Sequence, residues 1–441
     1  MYSCHGVVHG PCEGMCSDST DSTTGLCANS EENSSGRLGD KILITGGTGM
    51  IGSQIARAVL EDPDQVFAPD SEVIVLARWR SSMKNLRGML FIESGSQSGK
   101  NAKFRHRGIR IVYGDVSDAF AMLELILEQE RPTHIFHFAA QAINGVSWPA
   151  ASLSLSVNTQ GTLNVLEAVR RLDAERAGAG EGKEGSTFRR KTKVLVAGSS
   201  AEYGFTALDY DETRPIPEDV PLKPMTPYGV SKVAQENLAS VYAHNYGVEA
   251  CTARIFIHMA PGGTEHLSVQ NFAKQIAEAE QVWEREYKFE VTTRAATRLN
   301  SASVEKSKAA SVSKKKDVST DPRLELRHGD LSTFRDVTDV RGSRYVYPTL
   351  LLRCLPGEAY NVGSSQTFSI SGMLDILLNA TQAPIRRVLD ESRLRKADER
   401  VLLANITKLQ ELTGWDPKPD IWRTAVDLLD FWRSEVKDRE G

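Results

Sequence analysis

A chain of 441 residues with 40% hydrophobic and 25% charged residues and a formal net charge of −4 has the make-up of a soluble globular protein of one large or two ordinary domains. That balance offers no global attraction to nucleic acid or to an anionic membrane, so neither is expected as a partner. No apolar run reaches membrane-spanning length, and the start of the chain lacks the basic and apolar regions of a secretion signal, which makes the cytoplasm the expected location.

Residues 1–39 are rich in Ser, Thr, Gly and acids and poor in large apolar side chains, so a disordered tail is expected there. Four of the six cysteines, Cys4, Cys12, Cys16 and Cys27, fall in it, leaving Cys251 and Cys354 for the rest. With His5 and His9 the four match no zinc spacing, and no metal site is expected.

The organising stretch is 41–52, K-I-L-I-T-G-G-T-G-M-I-G. An apolar run of strand length leads into Gly46, Gly49 and Gly52, three residues apart, and then into an apolar helical stretch. The first glycine makes a tight turn, the second lets backbone approach a pyrophosphate, and the third lets helix pack on strand. Gly46, Gly49, Met50, Ile51 and Gly52 are therefore expected at a dinucleotide cofactor, whose phosphates would meet the N-H groups of the helix start.

Residues 72–78 read as a second buried strand ending at Arg78, with Arg80 beyond. A base at that strand end, where NAD-binding chains carry an acid, tolerates a 2′-phosphate and favours NADP. After a polar stretch at 93–107, residues 109–113 give a third strand followed by Gly114, Asp115 and Val116, then an amphipathic helix over 118–130. Asp115 suits either an adenine amino group or the cap of that helix, and the sequence leaves both open. Residues 134–140 form a fourth strand ending in Ala139 and Ala140, small enough for backbone to approach a flat cofactor. His137, without a second ligand at metal-site spacing, reads as packed.

Residues 157–172 are helical, with Asn158 near the start, and 173–193 read as an exposed insertion. A fifth strand, 194–197, delivers Ser199, Ser200, Ala201, Glu202, Tyr203 and Gly204 to a strand's C-terminal edge, where open α/β sheets bind ligands. A helix then begins at Pro227 and runs to about 246. Tyr228 and Lys232 are four residues apart in it and share a face, where an ammonium can lower a phenol's pKa and make it a proton shuttle.

The succession T-G-x-x-G-x-x-G, H-x-A-A, the serine pair with its acid, and P-Y-x-x-S-K resembles the extended short-chain dehydrogenase/reductase family. Within it the likeness is to the GDP-mannose 4,6-dehydratase group and the related GDP-4-dehydro-6-deoxymannose reductases. The resemblance covers about 40–434, with insertions. It implies a Rossmann-type doubly wound parallel sheet over 40–260 and a smaller α/β substrate domain, mainly 261–441, with a strand near 359–363 returning to the first domain. It implies that Ser200, Tyr228 and Lys232 form the redox site, with Glu202 added for dehydration. Arg78, Asp115, Ala139 and Asn158 become cofactor-side or structural positions.

The stretch 254–263, R-I-F-I-H-M-A-P-G-G, resembles a family segment but departs from it at Ile257 and Ala260, where asparagine and glycine are usual, and in closing on glycines, up to Gly263, rather than on arginine. A Lys-, Ser- and Arg-rich stretch at 287–321 is expected to be a disordered insertion. Beyond it, Arg335 is a candidate clamp on the substrate pyrophosphate, since a guanidinium binds two phosphate oxygens at once. Arg395 matches a family arginine that meets the nucleotide, although Lys396 stands where proline is usual.

The expectation is therefore an NADP-dependent nucleotide-sugar 4,6-dehydratase, acting on a GDP-linked sugar and assembled as a homodimer or homotetramer. Tyr228 would take the proton of the sugar 4-hydroxyl, Ser200 would bind that oxygen, Lys232 would hold the cofactor ribose, and Glu202 would act as general base and then acid for the loss of water. A reductase of 4-keto sugars needs Ser200, Tyr228 and Lys232 but not Glu202. A 4-epimerase and a catalytically silent binding protein on the same fold are further alternatives.

Overall fold

A computed structural model describes residues 39–438 except 63, 65, 69, 90–107, 179–189, 289–319 and 395–397. The tail with its four cysteines, the cores of the expected insertions and Arg395 lie outside the described residues. Seven strands form a parallel sheet: β1 (Lys41–Thr45), β2 (Glu72–Ala77), β3 (Ile109–Tyr113), β4 (His134–His137), β5 (Lys193–Ala197), β6 (Glu249–Ile255) and, from much later in the chain, β10 (Ala359–Val362). Their order, β10-β6-β5-β4-β1-β2-β3, reverses direction between β1 and β4, which opens a crevice at the C-terminal strand ends.

These strands read as continuous apolar runs because both faces of the sheet are covered. Ile42 and Ile44 point into one layer, with Ile55 of helix α1 (Met50–Glu61). Leu43 points into the other, with Val165, Leu166 and Val169. Each fully buried side chain of this kind contributes roughly 1.5–3 kcal/mol. The second layer holds α2 (Ala119–Leu123), which runs on as a π-helical stretch, and α3 (Gly161–Gly178), which continues a helix begun before a π-helical turn at Leu155–Gln160. Helix α4 (Pro227–Tyr246) packs beside them. Thr226 caps it by accepting the Gly229 N-H, Pro227 opens its first turn, and Gly247, at φ +66°, ends it.

A second lobe builds on β7 (Ile257–Met259), β9 (Phe334–Asp339), β11 (Thr367–Ser369) and β13 (Val401–Leu402), with β8 (Glu325–His328) pairing β12 (Arg386–Leu389). Its core lies against α5 (Ser268–Trp283), α7 (Ile370–Asn379) and α8 (Ile421–Asp438), and Trp432 packs within it. Ile257 packs on the same core. Gly263 is filled from outside, since a Cβ there would lie 2.2 Å from the Gln270 amide nitrogen and 3.1 Å from the Met50 sulfur. The departures at both positions are thus packing solutions. Helix α6 (Val346–Arg353) covers the seven-stranded sheet on the same face as α1, and just beyond it Cys354 forms a disulfide with Cys251 of β6, the Cα atoms 6.4 Å apart. No helix among the described residues is long and apolar enough to cross a membrane.

Candidate active site

The glycine-rich turn has the form that a pyrophosphate requires. Gly46 adopts φ +72°, and a Cβ on it would lie 2.5 Å from the Phe138 carbonyl carbon and 2.6 Å from the Ala139 nitrogen. A Cβ on Gly52 would lie 2.4 Å from the Gly46 oxygen. Helix α1 starts at Gly49 with no side-chain cap, which leaves the first-turn N-H groups of Met50, Ile51 and Gly52 for an anion. A nicotinamide dinucleotide fits this cradle.

Arg78 follows β2 and is exposed. Asp115, after β3, is held below the usual carboxylate range because hydrogen bonds from the Ser117 hydroxyl and N-H, with the Arg78 charge, outweigh its partial burial. Its acceptance from Ser117 is a turn contact, whereas Asp118 caps α2. Val116 is buried against Gly161, and its carbonyl accepts from Asn164 at 2.9 Å. Ala139 donates its N-H to the Thr45 hydroxyl at 3.1 Å, and Ala140 follows it at the end of β4. His137 is packed between the Thr45 and Thr162 hydroxyls at 2.9 and 3.0 Å, and burial pushes it down to about 3, so it is neutral. Asn158 ties Gln141 to Ser231 of α4, a structural bridge.

At the end of β5, Ser199 opens a short helical turn, Ser200–Glu202. Its hydroxyl accepts the Ala201 N-H, and its own N-H donates to Glu202 Oε1 at 2.6 Å. This geometry bears on two expectations. Of the two serines it is Ser199, not Ser200, whose side chain pulls the Tyr228 phenol down against its burial. Two adjacent serines look alike in sequence, and only the turn decides which one faces α4. Glu202, meanwhile, has no exposed surface and points behind the site. Its second oxygen lies 3.9 Å from the Arg254 guanidinium, whose fork is taken by Glu236 at 2.8 and 2.6 Å. Burial, followed by the Glu236 carboxylate, pushes the Glu202 carboxyl well above its usual range against the pull of Arg254.

Lys232 lies on the same helical face as Tyr228. Its ammonium donates to the Ala197 carbonyl at 2.6 Å and lies 5.8 Å from the Tyr228 ring centroid. Burial brings it down to about 8, while the Tyr228 phenol is pushed up to about 12 by burial, with Ser199 pulling the other way. The phenol is therefore neutral at ordinary pH. Glu236, eight residues after Tyr228, is a site residue the sequence reading missed. Its signal was helical spacing, since Tyr228, Lys232 and Glu236 form one buried stripe of polar side chains.

In the second lobe Arg335 is buried, donating to Asp398 at 2.7 Å and to the Phe334 carbonyl. The expected phosphate clamp is therefore turned inward, because Asp398, 63 residues away, neutralises it in the fold. A cleft of about 520 Å³ opens beside this pair, with His328, Asp330, Ser332, Leu389 and Leu394 on its walls.

A parallel sheet with this glycine turn and a Ser/Tyr/Lys set at its C-terminal edge defines an extended short-chain dehydrogenase/reductase. The sequence matches the GDP-mannose 4,6 dehydratase family over residues 43–298, more than half the chain, and the protein belongs to that family. It is 27% identical over 309 residues to the GDP-6-deoxy-D-mannose reductase of Pseudomonas aeruginosa, covering 70% of this chain and 83% of that one. It is 28% identical over 245 residues to the GDP-mannose 4,6-dehydratase of Vibrio cholerae, covering 56% and 57%, so it spans little more than half of that relative. Among solved structures, RMD from Pseudomonas aeruginosa complexed with NADPH superposes with a TM-score of 0.59 at 21% identity, over 90% of this chain and 99% of that one. The dTDP-glucose 4,6-dehydratase DesIV of Streptomyces venezuelae, with NAD and TYD bound, gives 0.63 at 20% identity, over 90% and 98%. At those identities the superpositions speak for the fold.

Proposed function

We propose that this protein is a GDP-mannose 4,6-dehydratase that uses NADP. The observation that carries the reading is the convergence of Ser199, Tyr228 and Lys232 at the C-terminal edge of β5, in a member of this family. Gly46, Gly49, Met50, Ile51 and Gly52 would hold the cofactor's phosphates, with Arg78 at a 2′-phosphate and Asp115, Val116, Ala139 and Ala140 around the adenosine. When bound, such a cofactor takes up a hydride from C4 of the sugar and returns it at C6. Tyr228 removes the 4-hydroxyl proton, and Ser199, in the role first read for Ser200, hydrogen-bonds that oxygen. Lys232 leaves the Ala197 carbonyl for the cofactor ribose, where its charge lowers the phenol from about 12 toward working pH. The cleft beside Arg335 suits the nucleotide end, with Arg395 near it in sequence to the Asp398 rim.

Dehydration makes a further demand. Glu202 must turn from the Ser199 N-H into the cleft to take the C5 proton and protonate the departing 6-hydroxyl. Its burial is the specific observation that favours a second reading, an NADPH-dependent reductase of a GDP-4-keto-6-deoxy sugar, which needs no such acid. The deciding experiment incubates the protein with GDP-mannose and catalytic NADP, then separately with the 4-keto sugar and NADPH, and follows both by mass spectrometry. Loss of one water in the first, abolished in Glu202→Gln, is the dehydratase outcome. Reduction in the second alone, unaffected by Glu202→Gln, is the reductase outcome.

The exposed apolar side chains Leu153 and Leu155, together with Val230 and Val241 of α4, support a homodimer or homotetramer built on that face, checked by light scattering. A cytoplasmic location completes the reading.

A further inference from the structure

One side chain between the phosphate turn and the second lobe has no part in the chemistry above. Asn85 lies in the short turn Lys84–Leu86, which follows β2 and is anchored from below by the fully buried Leu86. Its amide nitrogen donates to the Thr48 carbonyl inside the glycine-rich turn and to the Gly262 carbonyl in the segment that leaves β7, each at 3.1 Å. Both neighbours are carbonyls, which only accept, so the nitrogen must face them, and its two N-H groups are both committed. Gly262 is shaped to this contact. It adopts φ +89°, and a Cβ on it would lie 2.1 Å from Asn85 Oδ1, so no side chain fits there. The neighbouring Lys84 pairs with Glu435 of α8, and Gly263, next after Gly262, abuts Met50 at the start of α1. The turn after β2 therefore grips the cofactor cradle with one bond and the base of the second lobe with another.

We propose that Asn85 is a positioning residue that couples cofactor binding to nucleotide-sugar binding. The inference rests on the reading of the Gly46–Gly52 turn as a cofactor cradle. A pyrophosphate drawn onto that turn fixes the Thr48 carbonyl. Because hydrogen bonds weaken steeply with distance and angle, one amide serving two carbonyls transmits that order to the Gly262 segment. That segment runs on to Glu265, whose carbonyl accepts from Asn271, and Asn271 in turn accepts from Arg393 beside Leu394 on the cleft wall. Binding at either site then lowers the ordering cost at the other, and the coupling is reciprocal by linkage.

The test is calorimetric titration of the full chain with GDP, without and with saturating NADPH. The wild type is expected to bind GDP at least about fivefold more tightly when NADPH is present. In Asn85→Ala, which removes both bonds, the ratio should fall to within about twofold of unity while each ligand still binds alone. Gly262→Ala, which leaves Asn85 in place but crowds its oxygen, should lose the coupling in the same way, and circular dichroism melts confirm that both variants fold. Coupling that persists in both variants, or a wild type that binds both ligands independently, overturns the inference and leaves the functional reading intact. A wild type that binds neither NADPH nor GDP overturns the functional reading and this inference together.

Discussion

Replacing Gly46 by alanine attacks the cofactor cradle at the point where the backbone leaves least freedom. Two costs add. At φ +72° an alanine pays about 1–2 kcal/mol for the left-handed conformation. Its Cβ would also stand 2.5–2.6 Å from backbone atoms of Phe138 and Ala139, which cannot rotate away, and overpacking of that kind costs about 1–3 kcal/mol. The expected loss is about 2–5 kcal/mol in urea unfolding, or a smaller loss accompanied by weaker NADPH binding if the turn moves off β4. Gly145→Ala is the control, since it lies in a short helix where a Cβ meets nothing within 4 Å, and it should be neutral or slightly stabilising. A Gly46→Ala protein with unchanged unfolding and unchanged NADPH affinity would refute the reasoning.

Ser199→Ala should lower kcat by about 10²–10⁴-fold and Ser200→Ala by far less, a comparison made in steady-state kinetics, and the reverse order would return the role to Ser200. For Glu202 the folded-state pKa is raised, so its contribution to stability is complete below its ordinary value of 4.5 and is lost as pH climbs toward the raised value. Glu202→Gln removes that loss, so the variant should gain on the wild type by about 1.4 kcal/mol per pH unit above 4.5 in melts across that range, and a flat difference would contradict it. Arg335→Met should destabilise by about 3 kcal/mol by removing the buried ion pair with Asp398, with part of the loss recovered in the double variant with Asp398→Asn. Unchanged melting with lost GDP affinity would instead restore Arg335 as a phosphate clamp.

The sheet was legible because its strands are covered on both faces and so spell uninterrupted apolar runs. Helix α4 was legible because proline opens it and glycine closes it. What composition and spacing could not convey is direction. Lys232 was placed on the correct helical face, yet its ammonium turns to the Ala197 carbonyl, a partner 35 residues away. Glu202 has the residue type of a cleft acid, but the turn it closes folds it onto the Ser199 N-H and away from solvent. Arg335 has the residue type of an anion clamp, and its acid lies 63 residues downstream. Asn85 belongs to no motif, and its role emerges only when Thr48 and Gly262 are brought to the same amide.

The edge position of β10 has a consequence for how the molecule comes into being. Asn361 in this strand accepts the Tyr203 hydroxyl at 2.6 Å, across a sequence separation of 158, and it also donates to the Ile216 and Asn405 carbonyls. Until that stretch has left the ribosome, β6 keeps an open edge and the residue following Glu202 lacks its anchor. At roughly 5–20 residues per second the interval lasts about 8–30 s. The nascent chain thus spends that time with the glycine-rich turn made and the Ser199–Tyr203 corner unanchored, the interval in which an unpaired strand edge most needs a chaperone.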